Sequence, residues 1–492
     1  MAFMNALKNE LNDEKCLTTN GAVGYVTSGK KLLDLNFSVT SLRKQPEREI
    51  INKFMDAYYE DPVVAMRWLF YCRDCRYGIG ERRLFRVVMT YLATLKPDMV
   101  RSVLHLISDY GRWDDLLCLL DTPVKDEVKA LIATQLSIDI AHMNDGQSIS
   151  LLPKWLPSEV ASSNITKRYA ATIRKYLGMT SKQYRQTLSR MRKYLDVVEC
   201  KMSAKQWNEI NYEAVPSRAN LIYNNAFLRN DEERRRSYLG ALSKGEAKIN
   251  ASVLFPDDIV HRYTEWGNHV KKYDETLEGL WKALPILTSE NTLVVRDGSG
   301  SMYGKPMDVS TAMAIYMAER SIGEFHNQFI TFGAKPKLIS LDGMDTLREK
   351  LVKTYQETDC SSTNIKAVFD LILRTAINSK MSKEDMPKNI VVISDLQFDG
   401  QAFNFTQPLF EAIAQEYSTY GYQLPRLIFW NVNEYYSNVV PIQQNELGVV
   451  LISGYSQNLV KMVMSGETDP YECLVKALQD DRYKPIEEAL KM

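Results

Sequence analysis

Leu293-Val294-Val295-Arg296-Asp297-Gly298-Ser299-Gly300-Ser301-Met302 is the stretch from which the fold can be read. Leu293, Val294 and Val295 form a short apolar run suited to a central strand, and Gly298 and Gly300 permit the turn that follows. The turn gathers three oxygen side chains, those of Asp297, Ser299 and Ser301, around one point. One carboxylate and two hydroxyls are hard donors that suit a magnesium-type cation, Mg2+ or another divalent ion such as Mn2+ or Ca2+. A hydroxyl pair leaves the ion underneutralised, so its open positions favour an anion.

Two later segments supply what such a site lacks. In Cys360-Ser361-Ser362-Thr363-Asn364-Ile365, Thr363 sits in a polar loop just before the amphipathic run Ile365 to Ile377, so a hydroxyl is offered at a helix start. In Asn389-Ile390-Val391-Val392-Ile393-Ser394-Asp395 another apolar strand delivers a second acid. The order of Asp-x-Ser-x-Ser, loop Thr and strand-end Asp resembles the metal-ion-dependent adhesion site of von Willebrand factor A domains. Asp297, Ser299, Ser301, Thr363 and Asp395 match all five positions. Ser361 and Ser362 depart from the pattern, since glycines often precede the threonine in that family. The resemblance implies a doubly wound, Rossmann-like domain with a divalent ion held by these five residues.

Outward from this stretch the pattern is one of alternating strands and helices. Apolar runs at Leu293 to Arg296, Gln328 to Phe332, Ile390 to Ser394, Leu427 to Val432 and Val449 to Ser453 are separated by helical periodicity near Met307 to Arg320, Met344 to Tyr355 and Leu409 to Tyr417. Such alternation predicts βαβ units and a mainly parallel sheet, with the metal ligands at strand carboxyl ends. From about Pro46 to Ile286 nearly every window instead shows apolar residues at helical spacing, broken briefly at Asp61-Pro62, Lys96-Pro97, Thr122-Pro123, Leu156-Pro157 and Val215-Pro216. The expected architecture is multidomain α + α/β, with a helical-array domain over residues 1–286 followed by the α/β domain over 287–492.

Composition narrows the function classes. Lysine plus arginine equals aspartate plus glutamate at 61 each, so only the distribution of charge can identify a polyanionic partner. Seven scattered cysteines, Cys72 and Cys75 being the one close pair, fit reduced thiols rather than a disulfide frame or a zinc site. No window approaches ~18 uninterrupted apolar residues, and Met1 to Lys15 lacks the apolar core of a secretory signal. The expectation is a cytoplasmic protein without a membrane partner.

Charge is in fact concentrated. Residues 151–193 carry Lys154, Lys167, Arg168, Arg174, Lys175, Lys182, Arg185, Arg190, Arg192 and Lys193 against the single acid Glu159. Tyr169, Tyr176, Tyr184 and Tyr194 are interleaved with these cations, and Trp155 adjoins Lys154. Cations for phosphates beside rings for unpaired bases point to RNA. A solvated basic face whose tyrosines pack inward is the competing reading.

Taken together, the two parts resemble the Ro autoantigen family, in which a TROVE module of HEAT-like helical repeats precedes a von Willebrand A domain. The residues that carry the resemblance are Arg73-Asp74-Cys75-Arg76-Tyr77-Gly78-Ile79-Gly80-Glu81-Arg82 and Tyr110-Gly111-Arg112-Trp113-Asp114-Asp115-Leu116. A Ro-related group found in microbes, plants and viruses is closer still, through Lys154-Trp155-Leu156-Pro157-Ser158 and Ser394-Asp395-Leu396-Gln397-Phe398-Asp399. The resemblance implies a ribonucleoprotein component that holds small non-coding or single-stranded RNA on a basic surface. The residues nominated for that surface are Lys154, Lys167, Arg168, Arg174, Lys175, Arg185, Arg190 and Arg192. The alternative is a metal-dependent adaptor without RNA, in which an acidic protein partner completes the ion's shell. Gly78, Gly80 and the Trp113-Asp114-Asp115 run also have structural readings, as helix-end and capping residues. With no glycine-rich phosphate loop, and five dispersed histidines, the sequence points away from an enzyme.

Overall fold

The computed structural model describes residues 15–17, 23–265, 269–287, 289–332, 335–358, 361, 364–398, 409–432, 449–456, 459–460 and 469–491. The chain packs as two units. One comprises residues 1–62 and 254–479, the other residues 63–253 and 480–492.

The first unit is built on a six-stranded sheet: β1 (Thr292–Asp297), β2 (Gln328–Phe332), β3 (Lys337–Ser340), β4 (Asn389–Ser394), β5 (Arg426–Asn431) and β6 (Val449–Ser453), in the order β6-β5-β4-β1-β2-β3. All neighbours are parallel except β3, which returns antiparallel to β2. Sequence periodicity does not reveal β3, because Lys337 and Leu338 are exposed at the edge and four residues carry little pattern. Every residue of β1 is buried, as expected of a central parallel strand covered on both faces. In the register, Asn389 pairs with Thr292 and Ile393 with Arg296, so Ser394 and Asp395 emerge beside the end of β1.

After β1 the chain makes its turn and enters the helix Lys305–Arg320, whose small residues Ser310, Thr311, Ala312, Ala314 and Ala318 are all buried. Gly304, at φ 94°, supplies the left-handed conformation needed at this entry, and Pro306 suits the first helical turn.

Packing gathers residues 1–62 and 254–286 with the sheet unit. The helix Lys31–Phe37 buries Leu32, Leu33, Leu35 and Phe37 within the sheet unit. There Asn431 Nδ2 donates to the Phe37 carbonyl at 2.9 Å, and the Thr40 amide donates to Ser453 Oγ at 3.3 Å. The helix Pro256–Tyr263 lies on the helix Lys305–Arg320, where Asp257 pairs with Lys305 and His261 Nδ1 meets Asp308 Oδ2 at 2.7 Å. Local periodicity types a helix but does not say which neighbour it will bury against.

The second unit is helical, with Pro62–Arg73, Arg83–Leu95, Lys125–Asn144, Asn164–Tyr176, Ser181–Tyr194, Ser217–Asn230 and Glu232–Ser243 as its longer elements. Its polar core is Asp115, fully buried and bonded by Arg73 Nε at 2.8 Å, Arg86 Nε at 2.7 Å and the Arg112 amide at 2.9 Å. Asp74 is likewise buried and takes Arg482 and the Tyr483 hydroxyl from the C-terminal segment. The Arg73-Asp74 and Gly111-to-Asp115 runs are therefore structural here, and Asp115 caps the short helix Trp113–Asp121. Among the described residues no helix is long and apolar enough to cross a membrane.

Candidate metal centre

Parallel register brings the acids together from residues almost a hundred apart. Asp297 ends β1, and Asp395 follows Ser394, the last residue of β4. Asp297 Oδ1 accepts the Ser299 amide at 2.8 Å and Oδ2 accepts Ser394 Oγ at 2.5 Å, which fixes the carboxylate plane. Ser299 Oγ and Ser301 Oγ lie 3.1 Å apart, and Ser301 also hydrogen-bonds to Asp395. Oxygen ligands about 2.1 Å from an octahedral ion stand about 3.0 Å from their neighbours, so the two hydroxyls are spaced as adjacent ligands would be. Asp297 and Ser299 are buried whereas Gly300 and Ser301 are exposed, so the site opens at the tip of the turn.

Electrostatics agree with the donor chemistry. Burial pushes the Asp297 carboxyl up to about 7, with the nearby charge of Asp395 adding to the rise. Burial raises Asp395 as well. Two carboxyls driven upward side by side form a site that a cation would relieve. Hard oxygens, paired acids and hydroxyls at ligand spacing fit a divalent ion of the magnesium class. Among the described residues there is no group of three or more His, Cys, Asp or Glu side chains placed to hold a metal.

Of the five nominated ligands, the structure brings together Asp297, Ser299, Ser301 and Asp395. Thr363 lies outside the described residues. Sequence reasoning missed Ser394, which orients Asp297, and Arg296, which is fully buried beneath the loop. A lone arginine inside an otherwise apolar strand run was the available signal. Leu396, next after Asp395, sits at φ 63°, a left-handed conformation that costs a non-glycine residue roughly 1–2 kcal/mol.

The nominated RNA residues fall into two groups. Arg192 donates to the carbonyls of Pro153 at 2.8 Å and Leu156 at 2.7 Å, and burial pushes its guanidinium pKa down. Arg174 pairs with Glu159 at 2.7 Å, and Arg168 with Asp121 at 2.6 Å. Lys154 lies beside the Trp155 ring, on which Arg112 also sits. Among the described residues Arg190 donates to the neutral Asn144 side chain, at Oδ1, at 3.0 Å and to no carboxylate. Lys167, Lys175 and Arg185 are exposed, and among the described residues their side chains make no ion pair. Of the interleaved tyrosines, Tyr184 is core and Tyr169 is bonded to Asp121, while Tyr176 and Tyr194 are exposed.

A model for a domain of unknown function, DUF2828, matches residues 18–132 and 159–285, and one for a second domain of unknown function, DUF7788, matches residues 291–489. The uncharacterized protein L728 of Acanthamoeba polyphaga mimivirus is 33% identical across 95% of this chain and 88% of its own length. The chain belongs to the same family as L728. The DUF7788 match holds all five nominated metal ligands, and the second DUF2828 segment holds most of the nominated basic residues.

Proposed function

We propose that this protein is a metal-dependent binding protein whose sheet unit is a von Willebrand A-like domain. In this reading Asp297, Ser299, Ser301, Thr363 and Asp395 hold a divalent cation that captures an acidic group of a protein partner. The observation that carries it is the convergence of Asp297, Ser299, Ser301 and Asp395 at the carboxyl ends of adjacent parallel strands. When bound, the ion supplies a Lewis-acidic position for an incoming carboxylate. The chain's own residues do the rest: Ser394 and the Ser299 amide orient Asp297, and the exposed Ser301 leaves the ion reachable. Titration calorimetry with Mg2+ or Mn2+ should show one site per chain, lost in Asp297→Ala. Equal binding by both proteins would reject the assignment.

A second reading, RNA binding by a Ro-like helical-repeat unit, is compatible with the first and has its own support. The helix Ser181–Tyr194 carries five cations and no acid. Four of them, Lys182, Arg185, Arg190 and Lys193, are exposed, and none is compensated by a carboxylate among the described residues. With Lys167, Lys175 and the exposed rings of Tyr176 and Tyr194, this face offers charges for phosphates and platforms for unpaired bases. Arg174 and Arg192 are left out of the reading, because their donors are already directed at protein groups. RNA recovered with the protein at mild salt, and lost from a variant reversed at Lys182, Arg185 and Lys193, supports it; no RNA from either protein counts against it.

A further inference from the structure

Arg296 is a fully buried guanidinium in a central strand whose preceding residues Leu293, Val294 and Val295 are apolar. Burying a guanidinium costs several kcal/mol unless it is well bonded, so its contacts indicate what it is for. Nε donates to Thr311 Oγ1 at 3.0 Å, in the helix that follows the metal loop, and Nη2 reaches Met307 Sδ in the same helix. Nη1 donates to Thr331 Oγ1 of β2 at 3.1 Å and to Thr358 Oγ1 at 2.7 Å. The Thr358 hydroxyl in turn donates to the Thr354 carbonyl at 2.8 Å, in the last turn of the helix Leu347–Gln356.

Gly298, the second residue of the metal loop, independently marks the same place. A Cβ at Gly298 would lie 2.7 Å from Thr358 Cγ2 and 3.2 Å from both Arg296 Nη1 and Thr331 Oγ1. The glycine is required by close approach, since Thr358 and the guanidinium press against the back of the loop. Thr358 is five residues before Thr363 in the chain.

We infer that Arg296 is a positioning residue of the metal centre, clamping Thr358 against Gly298 so that the Asp297 loop is held in one register against the end of the helix Leu347–Gln356. The inference rests on the metal reading above. Removing a group bonded directly to a metal ligand commonly changes metal affinity by 10–100-fold; this clamp acts one contact further back, through the loop at Gly298, so an effect at the lower end of that range is expected. The arrangement also separates positioning from mere stability, because a different nitrogen of the same guanidinium serves Thr311. Thr358 supplies the atom nearest to a Gly298 Cβ, whereas Thr311 is not among the three nearest.

The test uses the full-length protein and Mn2+ alone, with free ion read by electron paramagnetic resonance. Thr358→Val, which removes the acceptor while keeping the bulk, should weaken Mn2+ binding about ten-fold, and Thr358→Ser should restore it to within about two-fold. Thr311→Val, which deprives Nε of its acceptor, should lower the melting temperature comparably yet leave Mn2+ affinity within about two-fold. Equal losses of affinity in the two valine variants, or none in either while Asp297→Ala abolishes binding, overturn the positioning role and leave the metal site standing. Absence of Mn2+ binding by the parent protein, or undiminished binding by Asp297→Ala, overturns both.

Discussion

Replacing Asp297 with asparagine should stabilise the metal-free protein above neutral pH and abolish its response to metal. Burial and the neighbouring Asp395 raise the Asp297 carboxyl from an ordinary acid value to about 7. A carboxyl whose pKa is higher folded than unfolded binds its proton more tightly in the native state. Its stabilising contribution is complete below about pH 4 and is lost as pH rises through about 7. A rise of roughly three units, at about 1.4 kcal/mol each, sets the loss at about 4 kcal/mol by pH 8. The substituted amide preserves the shape of the carboxylate and cannot ionise, so the difference between parent and Asp297→Asn should grow by up to about 4 kcal/mol between pH 4 and pH 8. The assay is urea-dependent amide exchange on peptides covering β1 and β4, in chelator, which reads the sheet separately from the helical unit. Saturating Mg2+ at pH 8 should narrow that difference, stabilising the parent by about 2.7 kcal/mol at a hundred times its Kd and the variant not at all. A pH-independent difference, or equal stabilisation of both by Mg2+, would refute the electrostatic reasoning.

Four further expectations concern the helical unit. Asp115→Ala leaves Arg73 and Arg86 without their shared buried partner and should cost about 3–5 kcal/mol in urea unfolding of that unit. Gly78→Ala would set a methyl 2.0 Å from the Tyr71 carbonyl; since backbone must move, a loss near the upper end of about 1–3 kcal/mol is expected, and a thermal melt equal to the parent's would contradict the packing. Reversing Lys182, Arg185 and Lys193 together should flatten the dependence of log affinity on log salt for a single-stranded RNA by about 2, at roughly 0.7 per phosphate contact. The pair Arg174→Gln and Arg192→Gln should instead act on stability.

What could be read from the sequence was whatever is local. Apolar runs ending in small oxygen-bearing residues located β1 and β4, and the spacing of Asp297, Ser299 and Ser301 predicted a loop whose hydroxyls stand 3.1 Å apart. Parallel pairing then follows from alternation with helices, which places Asp395 beside Asp297 without any further signal. What the sequence hid is long-range. Nothing in Lys31 to Phe37 tells that its apolar side packs against β6, and nothing in Arg482 tells that its partner is Asp74. The basic segment shows the same limit: composition counts Arg174 and Arg192 with the rest, but only folding reveals that Glu159 and three carbonyls, those of Met179, Pro153 and Leu156, consume them. Arg296 was legible as an anomaly in an apolar strand, though not as the hub of Thr311, Thr331 and Thr358, since those three partners come from a helix, a strand and the segment after a second helix.

The most direct test of the central claim is a crystal of the full chain grown with millimolar Mn2+ and measured for anomalous scattering. The account predicts one strong peak bonded to Asp297, Ser299 and Ser301 and facing Asp395, absent from Asp297→Ala crystals. A structure at the same Mn2+ concentration with no peak at these residues, or with the peak unchanged in the variant, would contradict it.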